Sequence, residues 1–312
     1  MAYVCQIERA FLVTFLFILT IVNNSTAQGE TTPQDTTCPT WYYREDIVPE
    51  YFKPGYQTAI FGNNVNVRAS PSQTAAVLDV LPIGQPLQVI AFDSTRHTIN
   101  GRSACWHLVG WSDEKKEQKQ GWVWGGYLSL AGGGCKNQVL FLLGCTEVKK
   151  SNDNRVIRYV HEIKAIKDFK LIDKIQLPEV TLGEAQMINF SIQSSRGLPD
   201  VQNVVLFNWS GAFCGGIQED FYALWTETNH FQLLPTLKSM GESGFYTQIE
   251  QYIFPDETAE VKYKYPLMYL LEKPENKTAI LYLKEDSGGD ENGASVSISI
   301  SKLKFVNHVW KK

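Results

Sequence analysis

Residues 65–72 read VNVRASPS. Val65 and Val67 fall on one face of an extended segment and Asn66 and Arg68 on the other, the period of two that marks a half-buried strand. Pro71 follows and, with no N–H to give, ends the pairing. Outward from this stretch the pattern repeats. AAVLDVLPIGQPLQVIAF carries a second strand, a break from Pro82 to Pro86 with Gly84 inside it, and a third strand through Val89. CWHLVGW reads as a fourth and GWVWGGYLSL as a fifth, with the charged SDEKKEQK between them as a solvated hairpin loop. Short strands of this density predict a small barrel that closes its own edges.

These motifs, VNVRASPS at 65–72, VLPIGQPLQVI at 80–90, WHLV at 106–109 and GWVWGGYL at 121–128, resemble bacterial SH3-like (SH3b) domains in order and spacing. The resemblance covers about a quarter of the chain. It implies a small barrel that serves extracytoplasmic bacterial proteins as a cell-wall or peptide-binding module. The chain departs from that pattern at DSTRHTINGRSA, residues 93–104, an insertion before Trp106 that also brings Cys105. The wider layout resembles secreted proteins of Bacteroidetes-type bacteria, an impression carried by residues 229–255.

The chain of 312 residues has room for two ordinary domains. Hydrophobic content of 44% and charge content of 20% are those of a folded protein, and 12% aromatics with abundant Thr, Ser and Val lean toward β-structure. A net charge of −4 offers no basic field for a polyanion, so nucleic acid is not an expected partner. Residues 10–22, AFLVTFLFILTIV, are apolar and uncharged but shorter than the roughly 20 residues of a membrane-spanning helix. Ser25 and Ala27 then suit the −3 and −1 positions of a cleavage site, which predicts a signal peptide at 1–27 and a secreted or periplasmic protein. A retained anchor is the alternative; after cleavage no membrane association is expected.

Residues 28–55 read as a polar tether followed by a packing segment, 56–131 as the barrel, and 136–312 as a second β-rich domain beyond a glycine-rich break at Gly132 to Gly134. Segments such as QVLFLLGCTEV, RVIRYVHEIKAI, VVLFNWS and SVSISISKLKF look like strands separated by turns, and no amphipathic helix of useful length appears. The expected fold is therefore all-β, an SH3-like barrel and then a sandwich or incomplete propeller. Of the cysteines, Cys5 leaves with the leader. Cys38, Cys105, Cys135, Cys145 and Cys214 remain as possible disulfide partners, an odd set that leaves at least one thiol unbridged within the chain. Bridges among Cys38, Cys105 and Cys135, and between Cys145 and Cys214, are the pairings weighed.

No catalytic motif survives inspection. His161 and Glu162 begin an H-E pair, but Ala165 stands where the second histidine of a helical zinc site belongs. Phe245 replaces the glycine that a nucleophile elbow around Ser243 needs. The acidic run EDSGGDENG at 285–293 lacks the calcium-loop spacing and reads as a hairpin tip. No metal or cofactor is expected. SH3b domains are often joined to papain-like peptidases, so Cys214 is weighed as a nucleophile, yet its surroundings read as strand and deny it a helix N-terminus.

What remains is an aromatic face. If Val109 and Val123 fill the barrel, alternation turns Trp106, Trp122 and Trp124 outward, beside Tyr127 and edged by Asn66 and Arg68. Such a face suits peptide or sugar ligands, and the SH3b resemblance implies a cell-wall peptide or a protein segment. The expected function is a non-enzymatic extracytoplasmic binding protein; the alternative is a cell-envelope hydrolase with its active site in the C-terminal half.

Overall fold

The computed structural model describes residues 40–42, 52–113, 115–134, 138–150, 157–181, 186–211, 217–242, 246–257, 278–290, 293–306 and 309–312. All fall within one compact unit, Asp35–Lys312. They are almost wholly extended; a 3-10 turn at Gly125–Tyr127 is the helical exception among the described residues.

After the short strand β1 (Thr40–Tyr42), the chain builds a six-stranded antiparallel sheet from β2 (Gln57–Ala59), β3 (Val65–Arg68), β4 (Val77–Leu81), β5 (Pro86–Ile99), β6 (Arg102–Ser112) and β7 (Gln118–Trp124). Its order is β2-β5-β6-β7-β3-β4. The sheet curls into a half-barrel because the chain leaving β7 returns to the free side of β2. Phe61 N–H donates to the Tyr127 carbonyl at 2.8 Å and Ser129 N–H to the Ala59 carbonyl at 2.9 Å. The Thr58 hydroxyl locks the seam on the Ser129 carbonyl at 2.8 Å. Val65, Val67, Leu87, Val89, Val109 and Val123 fill the concave side, as their alternation predicts.

A second six-stranded sheet joins β1 to β8 (Ala131–Gly134), β9 (Leu140–Lys150), β10 (Ile157–Lys167), β11 (Lys170–Gln176) and β12 (Val180–Thr181). The glycine run read as a break is thus a strand. Backbone groups alone make a ladder, and β8 is paired on both sides, Gly132 with Trp41 and with Leu142. This supplies the order that glycine side chains cannot.

The third sheet holds eight strands: β13 (Gln186–Gln193), β14 (Val201–Gly211), β15 (Gln218–Thr226), β16 (Phe231–Leu233), β17 (Leu237–Glu242), β18 (Tyr246–Ile253), β19 (Leu281–Asp290) and β20 (Gly293–Lys302). A last hairpin pairs β21 (Lys304–Val306) with β22 (Val309–Lys311). The second and third sheets pack face to face. Phe141 meets Trp225 edge-on at 5.6 Å, and His161 lies 5.5 Å from Phe207 and 5.8 Å from Trp209.

Strand β14 shows how tightly the layers stack. Val205 and Phe207 belong to the core shared with the first two sheets, while neighbouring Val204 packs on the other face with Leu224, Leu237, Phe254 and Leu303. The all-β reading therefore holds: a curled sheet followed by layered antiparallel sheets. Within the acidic run at 285–293, Asp290 of β19 pairs with Gly293 of β20.

Candidate functional site

Alternation puts the tryptophans on the convex side of the half-barrel, opposite Val109 and Val123, as expected. It does not leave them open. Trp106 is 2% exposed and Trp124 1%, and both pack with Ala104, Ile99, Trp122 and Tyr127 in a second small core. The covering element is the segment 93–104. It extends the β5–β6 hairpin to a turn at Asn100 and Gly101, whose φ angles of 51° and 76° suit an Asn-Gly turn. Irregularities in the β5–β6 register between Asp93 and Arg96 bend the extension over the tryptophans.

Polar contacts hold this cover down. The Trp124 indole N–H donates to the His97 carbonyl at 3.0 Å and the Ala104 carbonyl at 3.1 Å, a cross-strand pair near the hairpin's end. Arg102 sits 5.1 Å from the Trp124 ring, and its Nη1 donates to the carbonyls of Gly126 and Cys145. Burial lowers the Arg102 pKa from its usual range, and carbonyl acceptors and an aromatic face, with no carboxylate among the described residues, receive the guanidinium. A Cβ on Gly126 would come within 2.0 Å of Trp124. Gly126→Ala is thus expected to cost about 1–3 kcal/mol by overpacking, measured as a shift in the urea midpoint.

One edge of the aromatic core stays open. Asn66, Arg68, Trp106, Trp124 and Tyr127 line a cleft of about 200 Å³, joined on its rim by Asn63, Asn64 and Gln73. Trp122 does not line it; half-buried, it sits opposite Arg68 and Leu108 in the ladder. The floor is aromatic and the rim is amide, with Arg68 the single charged residue of the lining. Arg68 Nη1 donates to the Ala75 carbonyl at 2.7 Å, which fixes the guanidinium at the turn after β3. Asn63, Asn64 and Gln73 were not singled out by sequence reasoning. Their position beside the aromatic core depends on the turns before and after β3, and Asn64 at φ 50° is the local signal of the first.

The other candidates among the described residues are held by the packing of the sheets. His107 is fully buried, and its Nε2 accepts the Phe52 N–H at 3.0 Å, which fixes a neutral ring; burial pushes its pKa down to about 4. His161 is buried between the second and third sheets, with its pKa also pushed to about 4 by burial, and its neighbour Glu162 pairs with Lys174 at 2.9 Å. The H-E pair is thus split between an aromatic box and an ion pair. No cluster of metal-ligating side chains occurs among the described residues. Cys105 and Cys145 are buried, unbridged thiols, both held above the usual thiol pKa by burial, Cys145 at about 11. Cys38, Cys135, Cys214 and Ser243 lie outside the described residues, as does the leader segment. No protein-family model, curated protein or solved structure matches the chain.

Proposed function

We propose that the chain is an extracytoplasmic, non-enzymatic binding protein whose SH3b-like half-barrel recognises a cell-wall peptide or a protein segment at the Asn66–Arg68 cleft. The observation that carries this reading is the pairing of an aromatic floor with a rim of amides and one cation. Amides match the donors and acceptors of a peptide backbone, and a guanidinium matches a carboxylate. The volume favours a segment over a small-molecule ligand. At about 200 Å³ the cleft is below the roughly 300–1,000 Å³ of small-molecule pockets, so it holds one end or one residue of something longer.

Burial of the tryptophans changes the useful test. Asn66 and Gln73 are exposed on the rim, so their removal leaves the core intact. The double variant Asn66→Ala, Gln73→Ala is expected to bind purified peptidoglycan, or peptides released from it, about thirtyfold more weakly, since two hydrogen bonds are worth about 1 kcal/mol each. Co-sedimentation and calorimetry would measure it. Absence of binding by the wild type sinks the reading, and release of wall fragments by the wild type would move the protein to the hydrolase class.

A further inference from the structure

The β10–β11 hairpin ends in IKDFKLIDK, residues 166–174, and this tip departs from the usual rules of hairpin construction. Its two turn residues, Asp168 and Phe169, have φ angles of 51° and 58°. Asp, Asn and Gly accept that region; a bulky aromatic rarely does. The pair that closes the turn is Lys167 opposite Lys170, two like charges where a sheet gains from opposite ones. A register shift then leaves Ile172 unpaired between Leu171 and Asp173. As a result Phe169 is 52% exposed and both Leu171 and Ile172 are 37% exposed.

Nearby acids do not neutralise the tip. Glu162 is engaged by Lys174 at 2.9 Å, and Asp173 accepts the Phe231 N–H at 2.8 Å and lies 3.5 Å from His230. Lys164 is turned away to the Phe61 carbonyl at 3.0 Å. Lys167 and Lys170 are exposed and form no ion pair among the described residues, leaving Asp168 as the one acid at the turn itself. The outcome is an exposed apolar tip flanked by two lysines that pair with no acid among the described residues.

Against the expectation of no membrane association, and in a chain whose net charge of −4 leaves any attraction local to the tip, we infer that this hairpin tip docks on an anionic lipid surface, with Phe169, Leu171 and Ile172 entering the headgroup boundary and Lys167 and Lys170 meeting lipid phosphates. An exposed tip of this kind suits a deformable surface. Lysine stems can lie along the apolar boundary while their ammonium groups stay at the phosphates. Each lysine near such a surface adds attraction that salt screens. Repulsion between the two lysines facing each other across the turn is also offset there, because both ammonium groups gain anionic neighbours.

The test uses the full chain with phosphatidylglycerol-containing and pure phosphatidylcholine vesicles, wild type and variants prepared alike, read by co-sedimentation at low and high salt. The wild type is expected to partition about tenfold more strongly onto the anionic vesicles at low salt, and 1 M salt is expected to erase the difference. Phe169→Asn is expected to reduce that partition about tenfold. The same variant should unfold at an equal or higher urea concentration, since Asn tolerates the turn's φ. Lys167→Glu creates an opposite-charge pair with Lys170, so it too should hold or raise stability while cutting the salt-sensitive binding. Equal partition onto neutral vesicles, or tip variants that bind as the wild type does, overturns the inference. Capture of the tip by a soluble protein with no vesicle preference overturns it as well.

Discussion

Acidification from pH 7 to pH 4 is expected to cost the protein roughly 3 kcal/mol of stability for each of His107 and His161. Both rings are neutral in the fold, with pKa values near 4 set chiefly by burial, against 6.5 for a free histidine. The sign follows from which state takes up protons first. Below pH 6.5 the unfolded chain binds them while the folded chain resists until about pH 4, so stability is full above pH 6.5 and falls through that interval. Together the two sites remove an amount comparable with the whole stability of many domains, about 5–15 kcal/mol. Urea titrations at pH 7, 5.5 and 4.5 would measure the slope. The two sites separate by mutation: His161 lies among Tyr159, Phe207 and Trp209, and its Nδ1 has no hydrogen-bond partner among the described residues, so His161→Phe should remove about half the slope at small cost at pH 7. His107 cannot be exchanged so freely, because its loss strands the Phe52 N–H. A flat profile between pH 6.5 and 4.5 would contradict the neutral, buried assignment of both rings.

Trp124→Ala is expected to destabilise the protein by about 3–5 kcal/mol, the range for deleting a fully buried large aromatic. The indole does three things at once: it fills the core beneath the 93–104 hairpin, donates to two carbonyls of that hairpin, and meets Tyr127 edge-on at 5.1 Å. Trp124→Phe separates these roles. It keeps most of the apolar volume and the contact with Tyr127 but leaves the His97 and Ala104 carbonyls without that donor, so about 1–2 kcal/mol is expected. Chemical denaturation of both variants reads the difference. A loss below about 1 kcal/mol for the alanine variant would mean that the hairpin is not seated on the indole.

The strand skeleton was legible because burial imposes a period of two. Val65, Val67, Val109 and Val123 declare the inner face of the half-barrel, and the tryptophans on the other phase declare an outer one. What periodicity cannot say is whether an outer face meets water. That depended on the 93–104 segment, which reads as polar loop but carries Asn100-Gly101, a strong hairpin signal. The glycine strand at 131–134 was invisible for a different reason. Its stability belongs to the partners β1 and β9 and to no property of its own side chains. The cleft was legible in part: Asn66 and Arg68 follow from the phase of β3, whereas Gln73 reaches the rim through the turn that Arg68 holds by its bond to Ala75.

The core that begins at Val67 and Val89 in the half-barrel runs without interruption through Phe141 and Ile163 to Phe207 and Trp225 in the third sheet. Val65, from the cleft wall, belongs to that same cluster. Heat is therefore expected to melt the sheets that share this core in a single transition, and a half-barrel cut off at residue 131 is expected to leave that core open. For ligand discovery this is an advantage. Anything held at the cleft raises the melting temperature of the whole assembly of sheets, by an amount set by its concentration relative to its Kd, so a thermal-shift screen of cell-wall peptides reports on the site without any label placed near it.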